Sequence, residues 1–334
     1  MSEADFFRAE PTAHASWRWA VLMGANSRTY KFPLGHALLE VAAMGRDAVT
    51  VEELAGRYAM GIVQRISDAP QAPERTNLTA TDFLTVAKEE AAESLKSGQP
   101  SGRLVQAAAS SIPGMVMDKF HNVRGGTLPH TFYSLRGRGR DRVVELSPEL
   151  RRIAEPPQLA SLQSELEARW SIVETSFAIG VGRSVMEDGL AVDFAEWRLV
   201  DRRRRRSVAG VKESLIGFQH GRCLTCGDII WPQDRVAIDH VFPLALMDRF
   251  PITRQRPELD LDRVWNLAPA HYNCNADKSA RPPTATELAR LVQRNQAIMN
   301  SPHPLKRTLE ITLGSSAASG GWPEYVRAVQ GVFS

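Results

Sequence analysis

Two short sets of residues in the second half of the chain have the types and spacings that metal and phosphate chemistry require. The first is Cys223-x-x-Cys226, answered by His271-x-x-Cys274. Zinc takes four tetrahedral ligands, and a two-residue gap presents two donors at a suitable bite. Gly227 lets the backbone fold tightly round the first pair. All three cysteines of the chain fall in this set. A redox dithiol is the competing reading of Cys223 and Cys226, but it needs no second pair. Four protein ligands leave no open position, so this Zn2+ would hold structure rather than do chemistry. The second set is Asp239-His240, Asn266, Asn275 and Lys278. Carboxylate, imidazole, amide and ammonium groups in one place can build a divalent-metal site for cutting a phosphodiester.

Short elements must carry these groups. Val236–His240 alternates like a strand, with Val236 and Ile238 on its buried face and Pro243 closing it. Val264–Leu267 reads as a second extended piece. From Tyr272 the chain can turn helical until Pro282-Pro283 stops it, which puts Asn275 and Lys278 on one helical face beside Cys274. The expected result is two short strands and a helix with a metal in the crease. Neighbours on a regular strand point to opposite sides, so the pattern does not show that Asp239 and His240 both face it.

With these residues in view, residues 211–283 resemble the HNH nuclease family, whose core is the ββα-metal fold. The family's zinc knuckles match Cys223, Cys226, His271 and Cys274. Its Asp-His pair matches Asp239 and His240, and its central Asn matches Asn266. The third signature position, commonly His, is Asn275 here, and His271 stands where many members have Cys. The resemblance implies that Asp239 and Asn275 bind Mg2+ or Mn2+ and that His240 is the general base. It implies that Asn266 hydrogen-bonds across the crease to hold the His-bearing loop. Lys278 and Arg281 would contact phosphates. A satisfied structural histidine is the plain alternative for His240.

The rest of the chain reads as helix with little strand. Residues 16–66 follow a helical period, and Thr50-Val51-Glu52-Glu53 is a capping box opening a helix over Val51–Ile66. Helical patterns return at 81–96, 157–178, 211–220 and 284–300. Residues 130–135 and 142–146 read as a hairpin with an Arg-rich tip, either a winged-helix-like piece or an ordinary solvated hairpin. Residues 190–194 form a plausible short strand. Arg202, Arg203, Arg204, Arg205 and Arg206 are a run of five, either a solvated face or part of a phosphate-contacting track. Residues 315–321 read as a flexible joint. The fold class is α+β: a mainly helical region over 1–200, a nuclease domain over 201–300 and a C-terminal tail over 301–334.

Composition limits the function classes. With 334 residues and a net charge of +3, the whole molecule is no electrostatic nucleic-acid binder, so any such surface must be local. Three cysteines make no paired disulfide framework and favour a reducing compartment. No apolar run reaches the roughly 18 residues of a membrane span, and the N-terminus lacks a signal-peptide pattern, so a cytoplasmic protein is expected. The expectation is a metal-dependent DNA endonuclease, with RNA as an alternative substrate. A non-catalytic zinc-dependent nucleic-acid-binding module and a toxin-type effector are the others. One such site cuts one strand, so a homodimer or a second encounter would be needed for a double-strand break. A stand-alone nuclease with a helical companion suits restriction or anti-phage defence, with a defence-system partner, by association only.

Overall fold

The computed structural model describes residues 3–24, 26–123, 126–137, 142–178, 190–193, 198–201, 207–249, 261–313 and 321–333. The chain forms two units, Pro11–Gly189 and Met1–Glu10 joined with Leu190–Ser334. The first helix, α1 (Glu3–Ala9), therefore belongs with the C-terminal half.

The unit Pro11–Gly189 opens with α2 (Ala13–Leu22) and α3 (Lys31–Ala43), both buried along most of their length. Within the stretch expected to be wholly helical lies a strand, β1 (Ala48–Thr50). Gly45, at φ 72°, ends the preceding helix, and the β-branched Val49 and Thr50 suit a pleat. In α4 (Val51–Ile66) the Thr50 hydroxyl accepts from the Glu53 N–H at 3.1 Å. Only this half of the expected capping box forms, because the Glu53 carboxylate is taken by Arg46. Next come α5 (Phe83–Ser97), α6 (Gly102–Ile112), a π-helical turn over Pro113–Met117 and α7 (Asp118–Phe120). A small pair, β2 (Asn122–Val123) with β3 (Gly126–Thr127), follows.

β4 (Tyr133–Arg136) and β5 (Val143–Leu146) make the expected antiparallel hairpin. It is not a free-standing one: β1 pairs with β5, giving the order β1-β5-β4, and Val144 and Leu146 are buried. The tip at 138–141 lies outside the described residues. α8 (Pro148–Ile153) starts at the Ser147 cap, and α9 (Gln158–Ala178) packs against α3, with Trp170 stacked on Phe32 at 6.1 Å. Arg18 is buried here in a bidentate pair with Glu165, with contacts of 2.9 Å to each carboxylate oxygen.

The other unit continues with three antiparallel strands, β6 (Leu190–Asp193), β7 (Arg198–Asp201) and β8 (Ser207–Gly210), and α10 (Val211–Phe218). The arginines at 202–206 lie outside the described residues. Then come β9 (Val236–His240), α11 (Ala245–Arg249), a 3-10 turn over Val264–Asn266, β10 (Leu267–His271), α12 (Tyr272–Lys278) and α13 (Ala285–Met299). The expectation of an extended piece over Val264–Leu267 is corrected. Asn266 N–H donates to the Arg263 carbonyl at 2.9 Å, closing a turn, and the strand begins only at Leu267. Residues 301–333, read as a tail, supply α14 (Leu305–Leu313) and α15 (Trp322–Val332), which pack on α13. Trp322 stacks on Trp265 at 6.1 Å and Tyr325 meets the same ring edge-on at 5.2 Å. Residues 314–320, most of the expected joint, lie outside the described residues. The whole is α+β, helices with small antiparallel sheets. Among the described residues no helix is long and apolar enough to cross a membrane.

Candidate metal centre and catalytic site

β9 and β10 form an antiparallel hairpin in which Val236 faces His271 at one end and His240 faces Leu267 at the other. Four residue steps separate the ends, roughly 13 Å along the strands. α12 leaves β10 directly after His271 and packs back on both strands. Its first turn carries Cys274 to one end of the hairpin and its last residue, Lys278, reaches the other.

At the first end, the ligand atoms of Cys223, Cys226, His271 and Cys274 all lie within 4.8 Å of one another. The Cys223–Cys226 turn closes through Gly227 N–H donating to the Cys223 carbonyl at 3.0 Å, with Gly227 at φ 86°. The positive φ favours glycine, and a Cβ there would also stand 2.4 Å from Arg290 Nη2, which would have to move aside. His271 turns Nδ1 to the thiols, 3.4 Å from Cys226 Sγ and 3.9 Å from Cys274 Sγ. Its Nε2 lies 3.3 Å from both Asp234 Oδ2 and the Ile229 carbonyl. That arrangement fixes the tautomer with Nδ1 as the free donor atom, the outer-shell support expected of a ligating histidine. Burial pushes the Cys226 thiol up to about 12 and raises Cys274 as well. Three thiols so placed are poor company as bare thiolates and need a cation to ionise together. The group fits zinc.

At the other end, Asp239 is the buried residue of β9; Val236 and Ile238, expected on the buried face, are only half-buried, as is His240, because α12 packs on the Asp239 side. The Lys278 ammonium, also buried, donates to the His240 carbonyl at 3.0 Å and to Asp239 Oδ1 at 3.3 Å. It approaches Asp239 Oδ2 at 3.0 Å, but out of line for a hydrogen bond, so that buried oxygen has none. Burial raises the Asp239 carboxyl above its usual range, against the pull of Lys278. That oxygen could ligate a divalent cation only alongside the Lys278 ammonium, 3.0 Å away. Asn275 is half-buried on α12, one turn before Lys278 and so on the same face, and its side chain makes no hydrogen bond among the described residues.

The two strand neighbours do diverge, as the pleat requires. Asp239 meets α12, while His240 Nε2 lies 3.0 Å from Asp262 Oδ1. Asn266, fully buried, holds the chain on both sides of that pair. Its Oδ1 accepts from Phe242 N–H at 2.8 Å, and its Nδ2 donates to the Phe242 and Leu261 carbonyls, each at 2.9 Å. The expected bond across the crease to the His-bearing loop is present in this form.

Two expected phosphate contacts are placed differently. Lys278 is consumed by Asp239 and the His240 carbonyl, and its side chain is 1% exposed, leaving no ammonium for a phosphate. Arg281 forms a bidentate pair with Glu287, at 2.8 and 2.6 Å, beside the complete Thr284–Glu287 capping box of α13. Its side chain remains 40% exposed, so one face is open to solvent.

Sequence reasoning missed Asp234, Asp262 and two arginines of α13. Arg290 donates to the Leu224 and Thr225 carbonyls at 2.7 and 2.6 Å, clamping the knuckle turn. Arg294, 1% exposed, donates to the Leu267 and Trp265 carbonyls at 2.6 and 2.8 Å. Both sit one helical turn apart, and two arginines on a face shared with Leu291 were the available signal. Asp234 and Asp262 have no fixed spacing to the histidines they meet, so nothing in the sequence singled them out. The chain matches no family model, no curated protein and no solved structure.

Proposed function

We propose that this protein is a metal-dependent endonuclease of the HNH type that hydrolyses phosphodiester bonds in DNA. The observation that supports the reading is the Leu267 end of the β9-β10 pair, where Asp239, buried against α12 with one oxygen that makes no hydrogen bond, is the chain neighbour of His240, which lies against Asp262 on the other side of the strand. The Cys3His knuckle braces the same hairpin. In this reading Asp239 and Asn275 hold Mg2+ or Mn2+. A divalent ion there supplies positive charge for the phosphate and for the leaving 3′ oxygen.

The remaining steps fall to the chain itself. His240 donates Nε2–H to Asp262, which leaves Nδ1 as the basic atom that takes a proton from the attacking water. Asp262 is a positioning residue that selects this tautomer. Asn266 keeps Phe242 and Leu261, and with them His240 and Asp262, in register. Lys278 balances the Asp239 charge and keeps the carboxylate ionised beside a hydrophobic core.

One observation favours a second reading, a zinc-dependent nucleic-acid-binding module without catalysis: Lys278 already neutralises Asp239 with no divalent ion. RNA is a further substrate to test, since neither His240 nor the metal reads a 2′-hydroxyl. The test incubates purified protein with supercoiled plasmid and with RNA, with and without Mg2+ or Mn2+, beside a His240→Ala variant. The nuclease reading expects plasmid nicking that needs the divalent ion and falls by about 10²–10⁴-fold in His240→Ala, with DNA binding retained. Binding without cleavage in every metal would favour the binding module.

A further inference from the structure

The knuckle end of the hairpin carries an arginine and a tyrosine that neither the zinc ligands nor the crease uses. Arg235 directly precedes β9, and Tyr272 opens α12. Tyr272 N–H donates to the Arg235 carbonyl at 2.8 Å, so the hairpin pairing runs one residue past Val236 and His271. The Arg235 guanidinium lies over the Tyr272 ring, 3.9 Å from its centroid. At that distance the cation rests directly on the π-face.

Both side chains face solvent with capacity to spare. Arg235 is exposed and pairs with no carboxylate among the described residues. Its chain neighbour Asp234 is already engaged: Oδ2 accepts the Trp231 N–H at 2.7 Å and lies 3.3 Å from His271 Nε2. Tyr272 is 43% exposed. With the guanidinium over one face, that exposure falls on the other face and the edge of the ring. A single exposed aromatic is ordinary. One held flat by an arginine is already ordered, so it has less freedom to lose when a partner binds.

Spacing ties the pair to the crease. On α12, Tyr272, Asn275 and Ala276 stand at i, i+3 and i+4, so they share one face, and that face carries no charge. Asp277, the exposed carboxylate of the helix, is turned off it. Tyr272 lies one turn before Asn275 and six residues before Lys278, roughly 9 Å of helix rise. Arg235 lies four residue steps before Asp239, roughly 13 Å along β9, and on the same side by alternation. A stacked strand of nucleic acid advances about 3.4 Å per nucleotide, so the pair and the crease stand roughly three to four nucleotides apart.

We propose that Arg235 and Tyr272 form a stacking platform for an unpaired base of single-stranded DNA, with the guanidinium on an adjoining phosphate. An unpaired base has a bare π-face to lay on the ring, whereas in a duplex its neighbours cover both faces. A guanidinium keeps its N–H donors in its own plane, so it can rest on the ring and still bind a phosphate oxygen at its edge. The inference deepens the nuclease reading and rests on it for the course of the strand. A strand held at the platform runs along α12 to the crease, which makes single-stranded or splayed DNA the substrate rather than intact duplex.

The experiment measures binding of the full chain, purified with zinc, by fluorescence anisotropy. No Mg2+ or Mn2+ is added, so the readout does not depend on cleavage. The probes are a labelled DNA single strand of about 16 nucleotides, the upper site size of a single-strand-binding fold, its duplex, and RNA of the same sequence. Tyr272→Ala should weaken single-strand DNA binding by about 5- to 100-fold, with duplex binding, zinc content and Tm as in the parent. Tyr272→Phe should bind like the parent, and Arg235→Gln should lower the salt slope by about 0.7. If Tyr272→Ala loses zinc or fails to fold, Tyr272→Leu, which keeps bulk without a π-face, and Arg235→Gln carry the same test. The platform is overturned if the parent does not bind single-stranded DNA, if folded variants bind it like the parent, or if the loss is equal on duplex or confined to RNA. A selective loss in a protein that nicks nothing would keep the platform and remove the nuclease reading. Nicking with unchanged binding in the variants would do the reverse.

Discussion

The two ends of one hairpin solve the problem of gathered charge in opposite ways. At the knuckle, three thiols and a histidine converge, the nearby Arg290 is spent on the Leu224 and Thr225 carbonyls, and burial raises Cys226 and Cys274. At the crease, the one buried carboxylate already has an ammonium within 3.0 Å. The knuckle therefore needs a cation to be stable as an ionised set, whereas the crease can fold without one. On the proposed reading, a permanent ion and an exchangeable one would share a scaffold in which the protein itself neutralises only the second site.

Denying the knuckle its zinc should have the largest effect. Structural zinc contributes roughly 10–16 kcal/mol in small zinc-dependent folds, more than the ~5–15 kcal/mol net stability of a typical domain. Below the knuckle lies only a small cluster of Ile216, Cys223, Ile230 and Ala270. Cys226→Ser should therefore lose bound zinc in elemental analysis and lower the melting temperature sharply or leave the protein insoluble. Protons compete with zinc for thiols held above neutrality, so zinc affinity should rise between pH 6.5 and pH 8 and metal uptake should release protons. Metal-free protein that melts at the holoprotein's temperature would remove the contrast between the two ends.

Breaking the Lys278–Asp239 pair tests the other half. Lys278→Met leaves a buried carboxylate without its cation, a loss of about 3–5 kcal/mol for a pair of this kind. The melting temperature should fall in chelator and recover in part with Mn2+, because an ion that binds only the folded state stabilises it. A variant that ignores Mn2+ would mean that Asp239 takes no metal.

The smallest expected effect sharpens the assignment of His240. Asp262→Asn keeps the shape of the positioning residue but weakens its hold on the imidazole. On the scale of outer-shell partners, cleavage should slow by about 10–100-fold, with DNA affinity unchanged. Nitrogen NMR of the imidazole should show the Nε2–H tautomer in the parent and a mixture in the variant. An unchanged tautomer and rate would release Asp262 from this role.

The knuckle was the most legible part of the molecule because thiols and imidazole at two-residue gaps have few other uses, and the turn that aligns them is local. The strand-then-helix order that carries Asp239, His240 and Asn275 was readable too. The face each one takes was not, since a strand alternates and only packing decides which side is inside. Lys278 shows the limit: its place on α12 is local, but its partner comes from β9, thirty-nine positions away, and burial turned an expected phosphate contact into an internal ion pair. In the same way Thr50 was legible as a cap while Ala48–Thr50 was not legible as a strand, because three residues carry little period and the pairing partner, β5, lies about a hundred positions on. Sequence alone determined which chemistry the chain can hold: three cysteines, their histidine and an Asp-His pair set the ligand types. Tertiary structure decided which charges were already satisfied, and hence that Lys278 guards a carboxylate and that Asp262 holds His240. Ligand type is a property of a side chain, whereas satisfaction depends on every group the fold brings within about 4 Å, which no local spacing records.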